Sequence, residues 1–134
     1  SLKTAAGRIA RYSPETVVAN ILEPISLDTS RFDSVGMNYL LHCIPGDLTE
    51  KAKAFDYLLP YITSGGVIFG ATLLTHGVER GFAARKLMAF YNSKGIFHNT
   101  EDRLTDLETE LKYRFDKVEI EIAGCAALFR AVKN

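Results

Sequence analysis

The sequence predicts an α/β fold, in which helices pack on the faces of a mostly parallel β-sheet that ends in a C-terminal antiparallel hairpin. Two observations predict it. Short apolar segments alternate with longer segments whose apolar residues recur every three or four positions, and this alternation is typical of parallel strands joined by helices. Near the C-terminus, two strand-like segments are separated only by a short turn at Gly124, which predicts a hairpin.

Composition limits the classes of partner. The 134 residues are 47% hydrophobic and carry 16 basic and 16 acidic residues, so we expect one domain over residues 1–134 with no nucleic-acid partner. No apolar run reaches the ~18 residues of a membrane span, and we recognise no signal peptide. We therefore expect a cytoplasmic protein without a membrane partner. Cys43 and Cys125 lack metal-type spacing and are expected to be buried, reduced thiols.

Five segments are predicted to be strands. Residues 17–22 form a β-branched apolar run that predicts a buried strand, and residues 67–74 predict a strand buried on both faces. Residues 32–37 predict the strand between them. The remaining two strands form the hairpin at residues 118–122 and 126–132.

Helices are predicted between these strands. The predicted helical segments are 3–12, 47–61, 81–90 and 100–114, and a turn is expected at 63–66. Asp47 or Thr49 can cap the second helix because either side chain accepts a hydrogen bond from a free backbone N–H. In the last helix, Leu104, Leu107 and Leu111 recur at helical spacing, which indicates a buried face.

The predicted functional site lies where the strand at residues 32–37 ends. Asn38 and Tyr39 follow the strand, and His42 lies in the short apolar run after them, before Pro45 and Gly46 stop it. In open α/β sheets, ligands bind outside the carboxyl ends of the strands. Asn38, Tyr39 and His42 are therefore candidate ligand-contacting residues.

The order of these segments resembles that of class I methyltransferases, which use S-adenosyl-L-methionine. Four pieces carry the resemblance: residues 17–22 with Glu23-Pro24, Phe32-Asp33 with Asn38–His42, Leu58-Leu59-Pro60 with Gly65-Gly66, and the last helix with its hairpin. The resemblance implies a Rossmann-like three-layer sandwich. It also implies that residues 75–99 help to form the pocket for a small-molecule methyl acceptor.

The chain departs from this family in its N-terminal part. The first strand with its Gly-x-Gly-x-Gly loop is absent, as is the acidic residue that ends the second strand. We therefore expect the chain to be the C-terminal part of a methyltransferase domain with the N-terminal strands missing. Unpaired buried strand edges are costly. We expect residues 17–22 to move beside residues 32–37, or two chains to pair as a homodimer through the exposed sheet edge.

The resemblance implies roles for Asn20, Ile21, Asn38 and Tyr39. Asn20 and Ile21 occupy the place that binds adenine, and Asn has a carbonyl acceptor for its amino group; alternatively, Asn20 is a polar strand-end residue without a ligand. Asn38 and Tyr39 occupy the place beside the methionine part, where Tyr39 can pack against the sulfonium. Alternatively, both residues have a core or loop role. His42 can act as a general base, or it is a structural histidine.

The predicted function is that of an S-adenosyl-L-methionine-dependent methyltransferase for a small molecule. The alternative is a non-catalytic interaction module that kept the fold and lost the glycine-rich loop. A dehydrogenase is a third possibility, but it also needs a glycine-rich phosphate turn, and the antiparallel ending argues against it.

Overall fold

The computed structural model describes residues 1–28 and 31–134. The helices are α1 (Leu2–Arg8), α2 (Leu48–Lys51), α3 (Lys53–Leu58), α4 (Phe82–Ser93) and α5 (Leu104–Arg114). The strands are β1 (Phe32–Asn38), β2 (Ile62–Leu73), β3 (Lys117–Ala123) and β4 (Ala126–Val132). Three short 3-10 helices lie at Ala10–Tyr12, Leu41–Cys43 and Leu59–Tyr61.

The described strands form one mixed sheet in the order β1-β2-β4-β3. Strands β1 and β2 are parallel, with Val35 opposite Ile68, whereas β4 pairs antiparallel with both β2 and β3. Gly124, with φ of 61°, makes the turn of the β3–β4 hairpin. The α/β class and the C-terminal antiparallel hairpin are thus confirmed.

One face of the sheet builds the core. Met37, Ile68 and Phe129 point to this face and are buried beneath α2, α3 and α5. The Phe55 ring meets the Phe115 and Phe129 rings edge-on, with centroids 6.1 and 6.2 Å apart. This packing fixes β1 and β2 side by side, and so it also fixes the positions of their carboxyl ends.

The opposite face of the sheet is open. Phe69 and Leu128 project from it and are 41% and 43% exposed, so the expectation that residues 67–74 are buried on both faces was wrong. The alternation of pointing direction along a strand gives β2 one buried and one open side. In the described part of the chain, α2, α3 and α5 form the helical layer on one face of the sheet. The opposite face, where a three-layer sandwich has its second helical layer, carries the exposed side chains of Phe69 and Leu128.

Residues 17–22 do not form a strand, which corrects the prediction. Val17 and Val18 are 54% and 89% exposed, and the described part of the chain places no strand on the outer edge of β1. Asn20 Oδ1 instead accepts from the Leu22 N–H at 3.1 Å, and Asn20 O accepts from the Glu23 N–H at 3.1 Å. This local turn competes with strand pairing, and the expected move of residues 17–22 beside β1 does not occur.

The expected turn at residues 63–66 lies inside β2. Gly65, with φ of 76°, accompanies a register shift between Phe32 and Ser34 in the β1–β2 pairing. The Gly65 N–H donates to Lys133 O, and the Lys133 N–H donates to Gly66 O, both at 2.9 Å. Residues 63–66 have the composition of a turn. Hydrogen bonds to Lys133 near the C-terminus nevertheless keep them in the sheet.

Several helix boundaries differ from the prediction. The Asp47 cap is confirmed, and Asp47 and Glu50 form a capping box. The predicted helix at 47–61 is divided near Ala52, and α4 continues to Ser93. Helix α5 begins at Leu104 rather than at residue 100.

The cysteines were expected to be buried, but Cys43 is exposed and Cys125 is half-buried. Both are free thiols. Cys43 lies on the outward side of the short 3-10 helix whose other side buries Leu41 and His42. Among the described residues, no group of three His, Cys, Asp or Glu side chains is arranged to hold a metal ion. No helix within the described ranges is long and apolar enough for a membrane span.

Candidate functional site

The chain turns sharply out of the sheet at Tyr39, directly after β1. Tyr39 has φ of 55°, a left-handed conformation that costs a residue with a side chain about 1–2 kcal/mol. The Tyr39 N–H donates to Ala71 O of β2 at 2.7 Å, which holds the turn against the neighbouring strand. The Tyr39 side chain is 58% exposed. Strained backbone of this kind clusters at functional sites.

His42 lies under this turn and is only 3% exposed. Its Nδ1 accepts from the Leu73 N–H at 3.2 Å and lies 3.3 Å from Thr72 Oγ1. The His42 ring meets the Tyr39 and Phe97 rings edge-on, with centroids 5.8 and 4.7 Å apart. Tyr39, His42 and Phe97 therefore form one aromatic group at the ends of β1 and β2.

The surroundings of His42 favour its neutral form. Burial lowers the pKa of His42, and the positive charge of Lys51 lowers it further. Because Nδ1 accepts a hydrogen bond from a backbone N–H, the hydrogen of the neutral ring is on Nε2. Nε2 is therefore a hydrogen-bond donor.

A buried ion pair anchors the loop that carries Phe97. Lys51 Nζ lies 2.7 Å from each carboxylate oxygen of Asp102 and 2.7 Å from His98 O, and both charged side chains are fully buried. Burial raises the pKa of Asp102, while the hydrogen bond from Lys51 acts in the opposite direction. Asp102 O also accepts from the Thr75 and His76 N–H groups at 3.0 and 3.1 Å.

Asn99 joins the same loop to β2. Its Nδ2 donates to Leu73 O at 2.9 Å, and its Oδ1 accepts from Asn92 Nδ2 at 2.8 Å. The His98 N–H donates to His42 O at 2.7 Å. Backbone and side-chain hydrogen bonds therefore hold the β1 tip, the end of β2 and residues 97–102 together.

An open cavity of about 350 Å³ lies beside this group. Its lining residues are Gly46, Asp47, Asn92, Phe97, His98, Thr100 and Glu101. Phe97 contributes both to this cavity and to the aromatic group around His42. A pocket with one aromatic wall and several polar groups can orient a small molecule that is apolar in part.

The structure brings three of the five sequence-predicted site residues together. Asn38 pairs with Ala71 and is exposed at the end of β1, next to Tyr39 and His42. Asn20 and Ile21 are not at a strand tip, since no strand forms there. Asn20 Nδ2 donates to Glu23 Oε1 at 2.9 Å, and Ile21 packs against the core. No hydrogen bond or ring contact within the described residues joins them to the β1 tip.

Sequence reasoning missed the buried polar residues around the site. Lys51 and Asp102 read as ordinary charged residues of a helix surface and a helix start, and Asn99 reads as a loop residue. A buried ion pair between positions 51 residues apart has no local sequence signal. The polar residues between Asn99 and Arg103 predicted a helix that begins at residue 100, whereas α5 begins at Leu104.

Relatives with assigned names are methyltransferases, although no protein-family model matches the chain. The demethylluteothin O-methyltransferase of Streptomyces thioluteus is 43% identical over 131 residues, which cover 98% of this chain and 57% of that protein. The chain thus spans about half the length of the curated relatives it matches.

Solved structures of methyltransferases share the fold. The S-adenosylmethionine-dependent methyltransferase SibL, in its apo form, matches with a TM-score of 0.71 over 98% of this chain and 40% of that chain, at 16% identity. The N-methyltransferase NodS from Bradyrhizobium japonicum WM9, in complex with S-adenosyl-l-homocysteine, matches with a TM-score of 0.60 over 98% of this chain and 61% of that chain, at 17% identity. By sequence, the chain is similar to named methyltransferases over about half of their length, and its fold is that of solved S-adenosylmethionine-dependent methyltransferases.

Proposed function

We propose that this chain forms part of an S-adenosyl-L-methionine-dependent methyltransferase that acts on a small molecule. The observation that carries the proposal is the strained, exposed turn at Tyr39, where the carboxyl ends of parallel strands β1 and β2 meet. Ligands of open α/β sheets bind at such ends. The O-methyltransferase relative and the bound S-adenosyl-l-homocysteine in NodS support the same reaction class.

We assign the methionine end of the cofactor to Asn38 and Tyr39. Both side chains are exposed at the β1 tip, so they are free to meet a ligand. Asn38 has an amide that can accept from the ammonium group, and the Tyr39 ring can lie against the positive sulfonium. We assign the adenine end to Asn20 and Ile21. Asn20 must then exchange its hydrogen bonds to Leu22 and Glu23 for bonds to the ligand.

The cofactor supplies an activated methyl group, so the protein needs chiefly to align the two reactants and exclude water. The hydrogen-bonded loop at residues 97–102 gives the acceptor side a fixed wall. Phe97 is the aromatic residue of that wall. Helix α4 adds Phe90, which is 53% exposed and meets the Tyr91 ring, and Tyr91 in turn packs against Phe97 at a centroid distance of 4.9 Å. We propose a partly apolar methyl acceptor that contacts this side of the site.

The assembly and location are also proposed. The outer edge of β1 has no partner strand among the described residues, and exposed edges favour strand pairing between chains. We propose that two copies pair through this edge as a homodimer, and that the chain is the C-terminal part of a cytoplasmic protein without nucleic-acid or membrane partners. Light scattering that gives the mass of a single chain contradicts the dimer.

Titration calorimetry with S-adenosyl-L-methionine tests the function. We expect the chain to bind it and the variant Tyr39→Ala to bind it at least about tenfold more weakly, since a cation–π contact with the sulfonium is worth about 1–2 kcal/mol. The matched control is Tyr113→Ala, because Tyr113 is 82% exposed on α5. Equal loss in both variants, or no binding by the native chain, contradicts the proposal. Absence of binding by the native chain favours the alternative of a non-catalytic interaction module.

A further inference from the structure

One ring nitrogen of His42, Nε2, has no hydrogen-bond partner among the described residues. Every fully buried side-chain nitrogen or oxygen of the described residues has a hydrogen-bond partner, and the side-chain hydrogen bonds of His42 to described residues both involve Nδ1. Nε2 is therefore not a fully enclosed, unpaired atom, although the residue is only 3% exposed. Of the two ring nitrogens, Nε2 is the one left to contact a bound molecule.

The hydrogen on this ring has one consistent position. The Leu73 N–H belongs to β2, so its direction is fixed by the backbone and it points at Nδ1 from 3.2 Å. A hydrogen on Nδ1 would meet this N–H head-on. The Thr72 hydroxyl, 3.3 Å away, can rotate to donate to Nδ1 as well. Nδ1 is thus an acceptor, and the neutral ring carries its hydrogen on Nε2.

The ring also has little freedom to turn. Phe97 and Tyr39 meet it edge-on from two sides, and His42 O is held by the His98 N–H at 2.7 Å. A donor with a fixed direction loses little conformational entropy when it binds a ligand, which is the requirement for a preorganised contact.

We propose that His42 donates a hydrogen bond from Nε2 to an oxygen of the small molecule bound at the β1 tip, and that it is not a proton acceptor. The proposal rests on the proposed function. It replaces the general-base role expected from the sequence. A base at Nε2 needs a free lone pair there, and the alternative tautomer that supplies one sets Nδ1–H against the Leu73 N–H.

Two sources can provide the oxygen. The carboxylate of the cofactor and the oxygen of the methyl acceptor both accept an N–H hydrogen bond. A carboxylate contact forms when S-adenosylhomocysteine binds without the acceptor. A contact with the acceptor oxygen forms only when the acceptor is also bound.

Long-range proton–nitrogen NMR of the 134-residue chain at neutral pH tests the tautomer without any ligand. We expect the His42 signals of an unprotonated Nδ1 and a protonated Nε2. A hydrogen on Nδ1, or a doubly protonated ring, overturns the proposal. This result stands even if the native chain binds no S-adenosylhomocysteine, an outcome that refutes the proposed function in this chain instead.

Two variants separate the donor from a purely structural role. His42→Asn places an amide oxygen near the position of Nδ1 and has no donor near Nε2. His42→Gln reaches the position of Nε2 with an amide N–H but leaves the Leu73 N–H without an acceptor. We expect His42→Asn to keep thermal stability near that of the native chain, and His42→Gln to lose more of it. If His42→Gln is the more stable variant, the proposed pairing of Nδ1 is wrong.

Binding identifies the source of the oxygen. If it is the cofactor carboxylate, His42→Asn should bind S-adenosylhomocysteine about tenfold more weakly, and His42→Gln should stay within about threefold of the native chain. If it is the acceptor oxygen, both variants bind S-adenosylhomocysteine normally, and in the full-length enzyme KM for the acceptor rises in His42→Asn but less in His42→Gln. If both measurements match the native protein in both variants, Nε2 makes no ligand contact.

Discussion

Lys51 Nζ lies 2.7 Å from both carboxylate oxygens of Asp102, and water reaches neither side chain. The pair joins α2 to the loop at residues 97–102, whose other bonds reach the end of β2 and the backbone of His42. A buried contact between α2 and this loop therefore helps to fix the wall of the proposed acceptor site.

Removing one partner of this pair should destabilise the protein strongly. Lys51→Met leaves the Asp102 carboxylate buried without its cation, and we expect a loss of about 3–5 kcal/mol in the free energy of unfolding, measured with urea. The matched control is Lys112→Met. Lys112 pairs with Glu108 at the surface, and such pairs are worth about 0–1 kcal/mol. Similar losses in the two variants contradict the structural role of the buried pair.

Replacing both partners should cost much less. The double variant Lys51→Met with Asp102→Leu removes both buried charges, and we expect it to regain most of the stability that Lys51→Met loses. Urea unfolding of the four corners of this cycle measures the coupling. Additive losses are the contrary result, because they mean that the two side chains do not depend on each other.

Stability should change with pH through His42. Its pKa in the folded chain is lowered by burial and by the Lys51 charge, so the unfolded chain binds this proton first as pH falls. The contribution of His42 is complete above about pH 6.5 and is lost as pH falls through the lowered pKa. We expect the free energy of unfolding of the native chain, relative to that of His42→Asn, to fall between about pH 7.5 and pH 5. A rise of this difference in acid contradicts the lowered pKa.

The left-handed backbone at Tyr39 should lower the stability of the protein, while the Tyr39 side chain should contribute to cofactor binding. Glycine adopts the left-handed conformation without the cost of a side chain. Tyr39→Gly and Tyr39→Ala both remove the ring, but only glycine relieves the backbone strain. We expect the free energy of unfolding of Tyr39→Gly to be about 1 kcal/mol higher than that of Tyr39→Ala, and both variants to bind S-adenosyl-L-methionine more weakly than the native chain. Equal stabilities argue against strain at this position.

Gly70 marks the closest approach of β2 to β1. A Cβ there would overlap the Met37 carbonyl group and lie 2.9 Å from the Phe129 ring. We expect Gly70→Ala to cost at least about 1–3 kcal/mol in thermal or urea unfolding, because neither the strand backbone nor the packed ring can move freely. Gly81→Ala is the control, since no atom lies within 4 Å of a Cβ at that position. A Gly70→Ala variant as stable as Gly81→Ala is incompatible with this strand packing.

The sequence predicts those elements that have both a local pattern and a neighbour in the chain. The hairpin strands carry alternating side chains and pair with each other across Gly124. Residues 17–22 have an equally good strand pattern, yet in the described part of the chain they do not pair with the open outer edge of β1. Their propensity is therefore overridden, and the local bonds of Asn20 decide the backbone.

The site divides in the same way. Asn38, Tyr39 and His42 follow one strand, so their proximity can be predicted from the strand end alone. Lys51, Asn99 and Asp102 meet only after the chain has folded, and no periodicity connects them. The tautomer of His42 depends on Leu73, which lies 31 residues further along the chain. Long-range hydrogen bonding of this kind is set by tertiary structure.

NMR mapping of S-adenosylhomocysteine binding tests most directly whether the β1 tip is a cofactor site. The account predicts ligand-dependent shifts of the backbone amides of Asn38, Tyr39 and Ala71, with little change at Glu121 in the distant β3 strand. Shifts confined to the β3–β4 hairpin, or no shift at saturating ligand, would contradict it.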